Sequence, residues 1–465
     1  MKPGWIRLLL VVLFWLPTWT VSAQEASPTG PIYIVQSGDN LWDIAARFGV
    51  SIDALLSANN LTLDSIIYEG AQLVIPGLEG VTGILTTQDV PYGETLHSLS
   101  LRYQTPVDVL ARLNHLTSPS EVYAGMSLVI PLSEGTPEPG PRLSLTAGQS
   151  LLELAVLNNT NPYTLVLSNG VSQPAALPAG QVLRRMNSEG VSDPGPGALP
   201  PAIAAVGLSD FIQGQTSVVR VESTGGASLG GSLMGHPLNF FPLPEGGYVA
   251  LQGVHAMAEP GTYPMTIQGS LADGSSFSFI QAVRVYAGDF LYDVPLYVPV
   301  ETLDPAITGP ENELWESQVL AASAEKLWDG AFAAPVDPAY ADCWPSIFGS
   351  RRSYNDSEYI YFHTGLDFCG QVGFSIYAPA DGIVVFTGEL VVRGNATVID
   401  HGWGIYSAYM HQSEILVAVG DRVETGQLIG LVGNTGRVIG PHLHFEVWAG
   451  GVQVDPLDWM TQAYP

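Results

Sequence analysis

Four short segments in the last third of the chain hold residues that could do chemistry. They are His363-Thr-Gly-Leu-Asp367, Ala408-Tyr-Met-His411, Gly436 to Gly440, and Pro441-His442-Leu-His444-Phe-Glu446. Each reads as a strand or the end of one. His442 and His444 are separated by one residue, and strand side chains alternate, so both imidazoles project from one face. His363 and Asp367 have Gly365 midway between them, an even spacing that can also bring both to one side. Two histidines and one carboxylate, with a fourth position open, form the ligand set of a catalytic zinc. A structural zinc is instead closed by four protein ligands, usually rich in cysteine.

The surrounding residues form a frame. Phe348-Gly-Ser-Arg351 lies upstream, Ala378-Pro-Ala-Asp-Gly382 follows the first motif, and Gly420-Asp421-x-Val423-x-x-Gly-Gln-x-Ile-Gly430 comes next. Gly433-Asn-Thr-Gly436 then leads into Gly440-Pro-His-Leu-His-Phe-Glu446. Over residues 331 to 460 the chain resembles the lysostaphin-type zinc endopeptidases, which cut the peptide cross-links of bacterial cell walls. The resemblance implies an antiparallel β-sheet peptidase domain over 331–465 with one zinc ion. It makes His363, Asp367 and His444 the metal ligands, and His411 and His442 the unligated catalytic pair. Tyr409, two residues before His411, should share its strand face and support it. Two departures stand out. The usual Tyr-Ala-His-Leu is Tyr409-Met-His411-Gln412, and Cys369-Gly-Gln-Val-Gly-Phe374 replaces a small-residue turn.

The remaining histidines read differently. His401, in Asp400-His-Gly402-Trp-Gly, fits the resemblance's hairpin turn and is expected to be structural. His97, His115, His236 and His255 lie outside the domain and carry no assigned chemistry. The chain's two cysteines, Cys343 and Cys369, both fall inside the domain. Export to an oxidising compartment favours a disulfide between them. A thiolate from Cys369 at the metal is the rival, although the resemblance has no counterpart for it.

Elements that position such a site must fit a chain of 465 residues, which has room for several domains. Residues 1–23 read as a signal peptide: Lys2 and Arg7, an apolar run Leu8–Leu16, and Val21-Ser-Ala23 before Gln24. No later run is long and apolar enough for a membrane span, so the mature chain is expected to be extracytoplasmic (cell wall, periplasm or secreted) without stable membrane insertion. The net charge of −28 excludes the basic footprint a nucleic-acid partner requires.

Residues 31–76 give Tyr33-x-Val35-x-x-Gly38-Asp39-x-Leu41-Trp-x-Ile44-Ala-x-x-Phe48, then Leu55-Leu56, Asn59-Asn60 and Gly70-x-x-Leu73-Val-Ile75-Pro76. Asp39 is the expected N-cap of a helix whose apolar face is Leu41, Ile44, Ala45 and Phe48. Strand, helix, helix, strand is the implied order. The pattern returns at 86–131 and, without the Ile-Pro ending, at 142–185, where Arg184-Arg185 stands instead. A repeat of roughly 50 residues is stronger than any single copy. These segments resemble LysM modules, α+β domains that bind N-acetylglucosamine-containing glycans, with the third copy degenerate. The resemblance places the sugar between Gly38, Asp39 and Asn40 on one loop and Ile67, Glu69 and Gly70 on the other.

Residues 186–199, with Pro194-Gly-Pro-Gly, read as a linker. Over 200–300 the alternation in Val219-Arg-Val221, Tyr263-x-Met265-x-Ile267, Phe277-x-Phe279 and Val283-x-Val285 predicts an all-β, immunoglobulin-like spacer, with Asp273-Gly274 as a hairpin turn. Within the connector 301–330, one amphipathic helix is expected over 311–328. It would turn Trp315, Val319, Ala322 and Leu327 inward and Glu311, Glu313, Glu316 and Glu325 elsewhere, packing on the last domain or occluding its cleft. The whole is a multidomain, β-rich chain. The resemblances together imply an exported peptidoglycan hydrolase, glycan held by the LysM modules and peptide by the zinc cleft. The rival is a non-catalytic wall-binding regulator of another hydrolase; loss of any ligand position would favour it, and none is lost.

Overall fold

A computed structural model describes residues 30–78, 81–132, 139–186 and 191–465. The expected signal peptide at 1–23 lies outside the described residues. The chain divides into one unit ending at Leu85 and a second running from Thr86 to Pro465.

In the first unit, strand Ile32–Ile34 pairs antiparallel with Gln72–Val74, and helices Leu41–Arg47 and Ile52–Ala58 lie between them in sequence. The N-cap of the first helix is Asn40, not Asp39. Asn40 has an extended backbone and its side chain accepts from the Asp43 amide. The Asp39 carboxylate is occupied elsewhere, accepting from the Tyr33 hydroxyl at 2.6 Å and the Gln36 amide at 2.7 Å, with Arg47 at 3.1 Å. Asn59 clamps the module: its amide donates to the Leu55 and Val74 carbonyls and its oxygen accepts from the Val74 amide.

The same clamp recurs twice in the second unit. Asn114 ties helix Val107–Leu113 to Val129, and Asn169 ties helix Pro162–Ser168 to Arg184. The third copy is therefore complete in its strand–helix–helix–strand order, from Arg142–Ser144 to Val182–Arg184. What changed is the use of its ends. Arg142 and Arg184 are buried, and a buried guanidinium must find acceptors. Arg142 meets the Asp193 carboxylate at 2.8 Å and the carbonyls of Pro196, Leu199 and Ile203; Arg184 meets those of Gly140, Asp193 and Gly195. The segment expected as a linker is thus, over 191–199, a strap stitched by three arginines, since Arg102 also donates to the Pro194 and Gly195 carbonyls. Residues 187–190 lie outside the described residues.

Two sheets enclose a common core over 203–286. One runs Phe241–Pro242, Tyr248–Gly253, Thr216–Ser223, Ile203–Leu208; the other runs His236–Asn239, Ala227–Leu233, Gly261–Leu271, Ser276–Tyr286. Val219 with Val221, Met265 with Ile267, and Val283 with Val285 fill the space between them. The second LysM-like copy extends the latter sheet: Tyr123–Ala124 pairs parallel with Ala282 and Val283.

The connector helix spans Pro305–Gln318 rather than 311–328. Asp304 caps it, Pro305 takes the first position, and Pro310 lies inside. It stops at Gln318 because the residues that follow bond to the sheet of the last domain instead of to themselves. The Leu327 amide donates to the His401 carbonyl, the Trp403 amide to the Ser323 carbonyl, and the Tyr406 hydroxyl to the Ala321 carbonyl. Glu311, expected on the polar face, is buried with Trp315.

The last domain is built on an antiparallel sheet ordered Leu366–Cys369, His442–Ala449, Ile405–Ile415, Gly394–Gly402, Gly382–Leu390, Arg422–Val423. Strand Leu428–Val432 pairs beside Ile405–Ile415, and Val452–Val454 beside His442–Ala449. One face packs on Phe332, Trp328 and Trp459. A second cluster gathers Trp315, Val398, Tyr406, Ala408, Met410 and Trp448.

Candidate metal centre and its relatives

Strand register assembles the site. Asp367 lies opposite His444, and Met410 flanks His444 on its other side. Asp367 is fixed from behind as well: its amide bonds to the Ser346 carbonyl, and the Cys369 amide to that of Cys343. Cys343 and Cys369 are joined by a disulfide with a Cα separation of 5.5 Å, which pins that outer segment to the strand. Gly365 is required by close approach. A Cβ there would meet the Phe445 carbonyl oxygen at 2.3 Å and His444 Nε2 at 2.9 Å.

Three donor atoms converge. His363 Nε2 is 3.0 Å from Asp367 Oδ1, His444 Nδ1 is 2.8 Å from the same oxygen, and the two nitrogens are 2.9 Å apart. All three residues are buried, and among the described residues they form the group able to hold a metal ion. The outer nitrogens are spoken for. His363 Nδ1 faces the Ile347 carbonyl at 2.9 Å, and His444 Nε2 faces Glu446 Oε1 at 3.3 Å. With the ring protons placed on those outer nitrogens, two imidazole lone pairs and a carboxylate point at one spot. Such a set needs a positive charge among them, which suits a cation held by nitrogen and oxygen.

The electrostatics show the same demand for positive charge among these groups. Burial pushes His363 down to about 4. Burial also opposes charge on His444, but its bonds to Asp367 and Glu446 outweigh this and raise it to about 9. Asp367 is held well below the carboxylate range, burial being overcome by His363 and His444.

His411 and His442 flank the group. Their ring centroids are 5.0 Å apart, and His411 is 6.1 Å from His444. His411 Nδ1 faces the Thr435 carbonyl at 2.8 Å, and His442 Nδ1 that of Gly440 at 2.8 Å, which leaves each Nε2 unspent on them. His442 Nε2 lies 3.6 Å from Asp367 Oδ1. His411 has a φ of 61°, a left-handed backbone that costs a non-glycine residue on the order of 1 kcal/mol. That conformation breaks the strand's alternation. Tyr409 therefore does not support His411: it is buried in the sheet's core against Phe445, its hydroxyl 2.8 Å from Ser407 Oγ. His401 is also buried, bonded to the Asp381 carbonyl and Ser407.

In the first unit the Gly70 amide donates to the Val35 carbonyl at 2.8 Å, which ties the second of the loops named for sugar binding to the end of the strand that leads into the first. Gly38, Asn40, Glu69 and Gly70 are exposed and Ile67 is partly so. Asp39 is committed to Tyr33 and Arg47. Sequence reasoning passed over Ile66 and Tyr68, at least 70% exposed on the second loop. The signal was present as an Ile66-Ile67-Tyr68 run outside either helix or strand.

Residues 361–456 match peptidase family M23, and residues 33–76 and 90–131 match the LysM domain. The peptidoglycan DD-endopeptidase ShyA of Vibrio cholerae is 43% identical over 112 residues, covering 24% of this chain and 26% of that protein. The DD-carboxypeptidase/endopeptidase Mpg of Neisseria meningitidis is 42% identical over 95 residues, 20% of this chain and 22% of its own. The match thus spans about a quarter of these relatives' length. A solved variant of the catalytic domain of the prophage-encoded M23 protein EnpA from Enterococcus faecalis is 30% identical. It covers 27% of this chain and 95% of its own, with a TM-score of 0.24. The chain carries a peptidase family M23 domain preceded by two LysM domains.

Proposed function

We propose that the protein is an exported zinc endopeptidase that binds peptidoglycan glycan through LysM and hydrolyses cross-link or stem peptide bonds. The observation that carries this reading is the convergence of His363 Nε2, His444 Nδ1 and Asp367 Oδ1 beside the rings of His411 and His442, whose Nδ1 atoms face backbone carbonyls. The names of the relatives, DD-endopeptidases among them, favour cross-links between D-amino acids. No described helix is long and apolar enough to cross a membrane. The two-sheet segment is read as an immunoglobulin-like spacer, and the domain limits 331–465 as those of the peptidase.

In this reading His363, Asp367 and His444 hold one zinc ion. When bound, zinc supplies Lewis acidity, polarising an amide carbonyl and lowering the pKa of water from about 15.7 toward about 7. The chain's own groups do the rest. His411 is driven down to about 3 by burial, then by His444 and His442, so at neutral pH its ring is uncharged. With Nδ1–H committed to Thr435, its Nε2 can accept a proton from the attacking water. His442, oriented through Gly440, offers a second such nitrogen. An Nε2 that has taken the water proton becomes a donor, and from there it can pass the proton to the leaving amine or hydrogen-bond the carbonyl oxygen as charge develops on it. Arg352 Nη2, 3.8 Å from Asp367 Oδ2, steadies the ligand carboxylate.

The test is mass spectrometry of soluble fragments released from purified sacculi. Wild type and His444→Ala are each compared with and without chelator. New peptide termini from metal-replete wild type alone are expected, and their sequence identifies the bond. Sacculi that bind the protein yet release nothing would leave a LysM-anchored wall factor without peptidase activity.

A further inference from the structure

Two supports of the candidate site come from outside the segment that matches family M23. Trp315 lies on the upstream helix Pro305–Gln318 and is fully buried. Its indole nitrogen donates to Glu446 Oε2 at 3.1 Å, beside Trp448 Nε1 at 2.8 Å. The other oxygen, Oε1, accepts from Gln453 Nε2 at 3.1 Å and faces His444 Nε2. A buried carboxylate sits where its donors hold it. Trp315 thereby holds one oxygen of the carboxylate whose other oxygen faces the His444 ring.

One turn earlier on the same helix, the Glu311 carboxylate is also buried. It accepts from the backbone amides of Val392 and Arg393 at 2.9 and 3.1 Å, and from Arg393 Nη1 at 3.0 Å. The Arg393 carbonyl then accepts from the His411 amide at 3.0 Å. Next to it, the Arg437 amide bonds to the Val392 carbonyl, and Asn395 N to Thr435 Oγ1. Thr435 is the residue whose carbonyl orients His411. A left-handed histidine persists only where its surroundings dictate it, and the Glu311-capped turn is a large part of those surroundings. The Arg393 guanidinium lies 4.9 Å from the Trp315 ring centre and joins the two supports.

We propose that the helix Pro305–Gln318 is a working part of the peptidase site, with Trp315 a positioning residue for His444 and Glu311 a positioning residue for His411. The proposal rests on the hydrolase reading above. It assigns the two residues separable effects, because one acts on a metal ligand and the other on a proton carrier that binds no metal.

Trp315→Phe keeps the packed ring and removes the donor. Zinc affinity, measured by competition with a chromophoric chelator, is expected to fall about tenfold, the lower end of the range for losing a ligand's own partner, because Glu446 stays and keeps its bonds to Trp448 and Gln453. Glu311→Gln sets an amide against two backbone donors. At saturating zinc its kcat on soluble cross-linked fragments is expected to fall about tenfold or more with KM unchanged, and its zinc affinity should equal that of wild type. Thermal melting of the metal-free proteins accompanies both. Wild-type zinc affinity in Trp315→Phe, or zinc affinity, kcat and melting temperature falling together in both variants, overturns the proposal, since the helix would then be packing alone. Wild type that binds zinc and cuts no sacculus overturns the hydrolase reading and leaves the Trp315 measurement decisive. Wild type that binds no zinc overturns both.

Discussion

His401 shows how strongly this sheet controls single residues. The ring is wholly buried, donates from Nδ1 to the Asp381 carbonyl at 2.7 Å, and takes the Ser407 hydroxyl at Nε2 at 2.7 Å. Burial holds its pKa near 4, below the 6.5 of an unfolded histidine. The unfolded chain therefore binds the proton first as pH falls. Stability contributed by the neutral ring is complete above about pH 6.5 and is lost as pH drops toward 4, by on the order of 3 kcal/mol. His401→Gln keeps a donor and an acceptor without a titrating group. Urea unfolding at pH 7.5 and 4.5 should show wild type losing stability relative to the variant, and parallel pH profiles would refute this. The structural role of His401 was legible because its Asp-His-Gly-Trp-Gly setting matched a turn. The place of Tyr409 was not, because strand alternation was assumed through His411. The left-handed backbone at His411 reflects tertiary contacts with Arg393 and Thr435 that no local pattern encodes.

Elements were readable where their own residues decide them. The repeated strand–helix–helix–strand modules follow from apolar spacing and from an asparagine clamp that survives even in the third copy. Elements whose backbone bonds go to distant partners were misjudged. Residues 321–328 continue a helical pattern in sequence, yet their polar groups meet Trp403, His401 and Tyr406. The Pro-Gly strap at 191–199 is ordered because two buried arginines need its carbonyls. The disulfide is an element-scale device of the same kind. Cys343 and Cys369 are 26 residues apart, and closing a loop of that size restricts the unfolded chain by about 3 kcal/mol. Replacing both by alanine should lower unfolding free energy by about that amount in denaturant titrations, and reductant should do the same to wild type. A double variant as stable as oxidised wild type would show that the segment 343–346 is held by its backbone bonds to Asp367 and Cys369 alone.

At the scale of the molecule, the LysM copies have diverged in use rather than in fold. In the second copy the loops corresponding to the proposed sugar groove are consumed by the two-sheet domain. The Tyr92 hydroxyl donates to the Met265 carbonyl at 2.8 Å, the Gly93 amide to Gln281 Oε1 at 2.8 Å, and Tyr123–Ala124 has become a strand of its neighbour's sheet. A Cβ on Gly93 would meet Leu199 at 2.5 Å and Pro196 at 2.6 Å. In the first copy the equivalent loop presents Ile66 and Tyr68 to solvent. Glycan affinity should therefore reside mainly in the first copy, and wall binding should separate from peptide cleavage. Ile66→Ala with Tyr68→Ala is expected to weaken binding to insoluble sacculi, read by sedimentation, about thirtyfold or more, the loss expected from removing two apolar anchors of about 1–2 kcal/mol each. Cleavage of small soluble cross-linked fragments, which need no tether, should stay within about twofold, because tethering acts through local concentration and not through the catalytic groups. Equal sedimentation of variant and wild type would move the glycan site to another surface, and a parallel loss of soluble-fragment cleavage would mean the first copy contributes to the catalytic step itself.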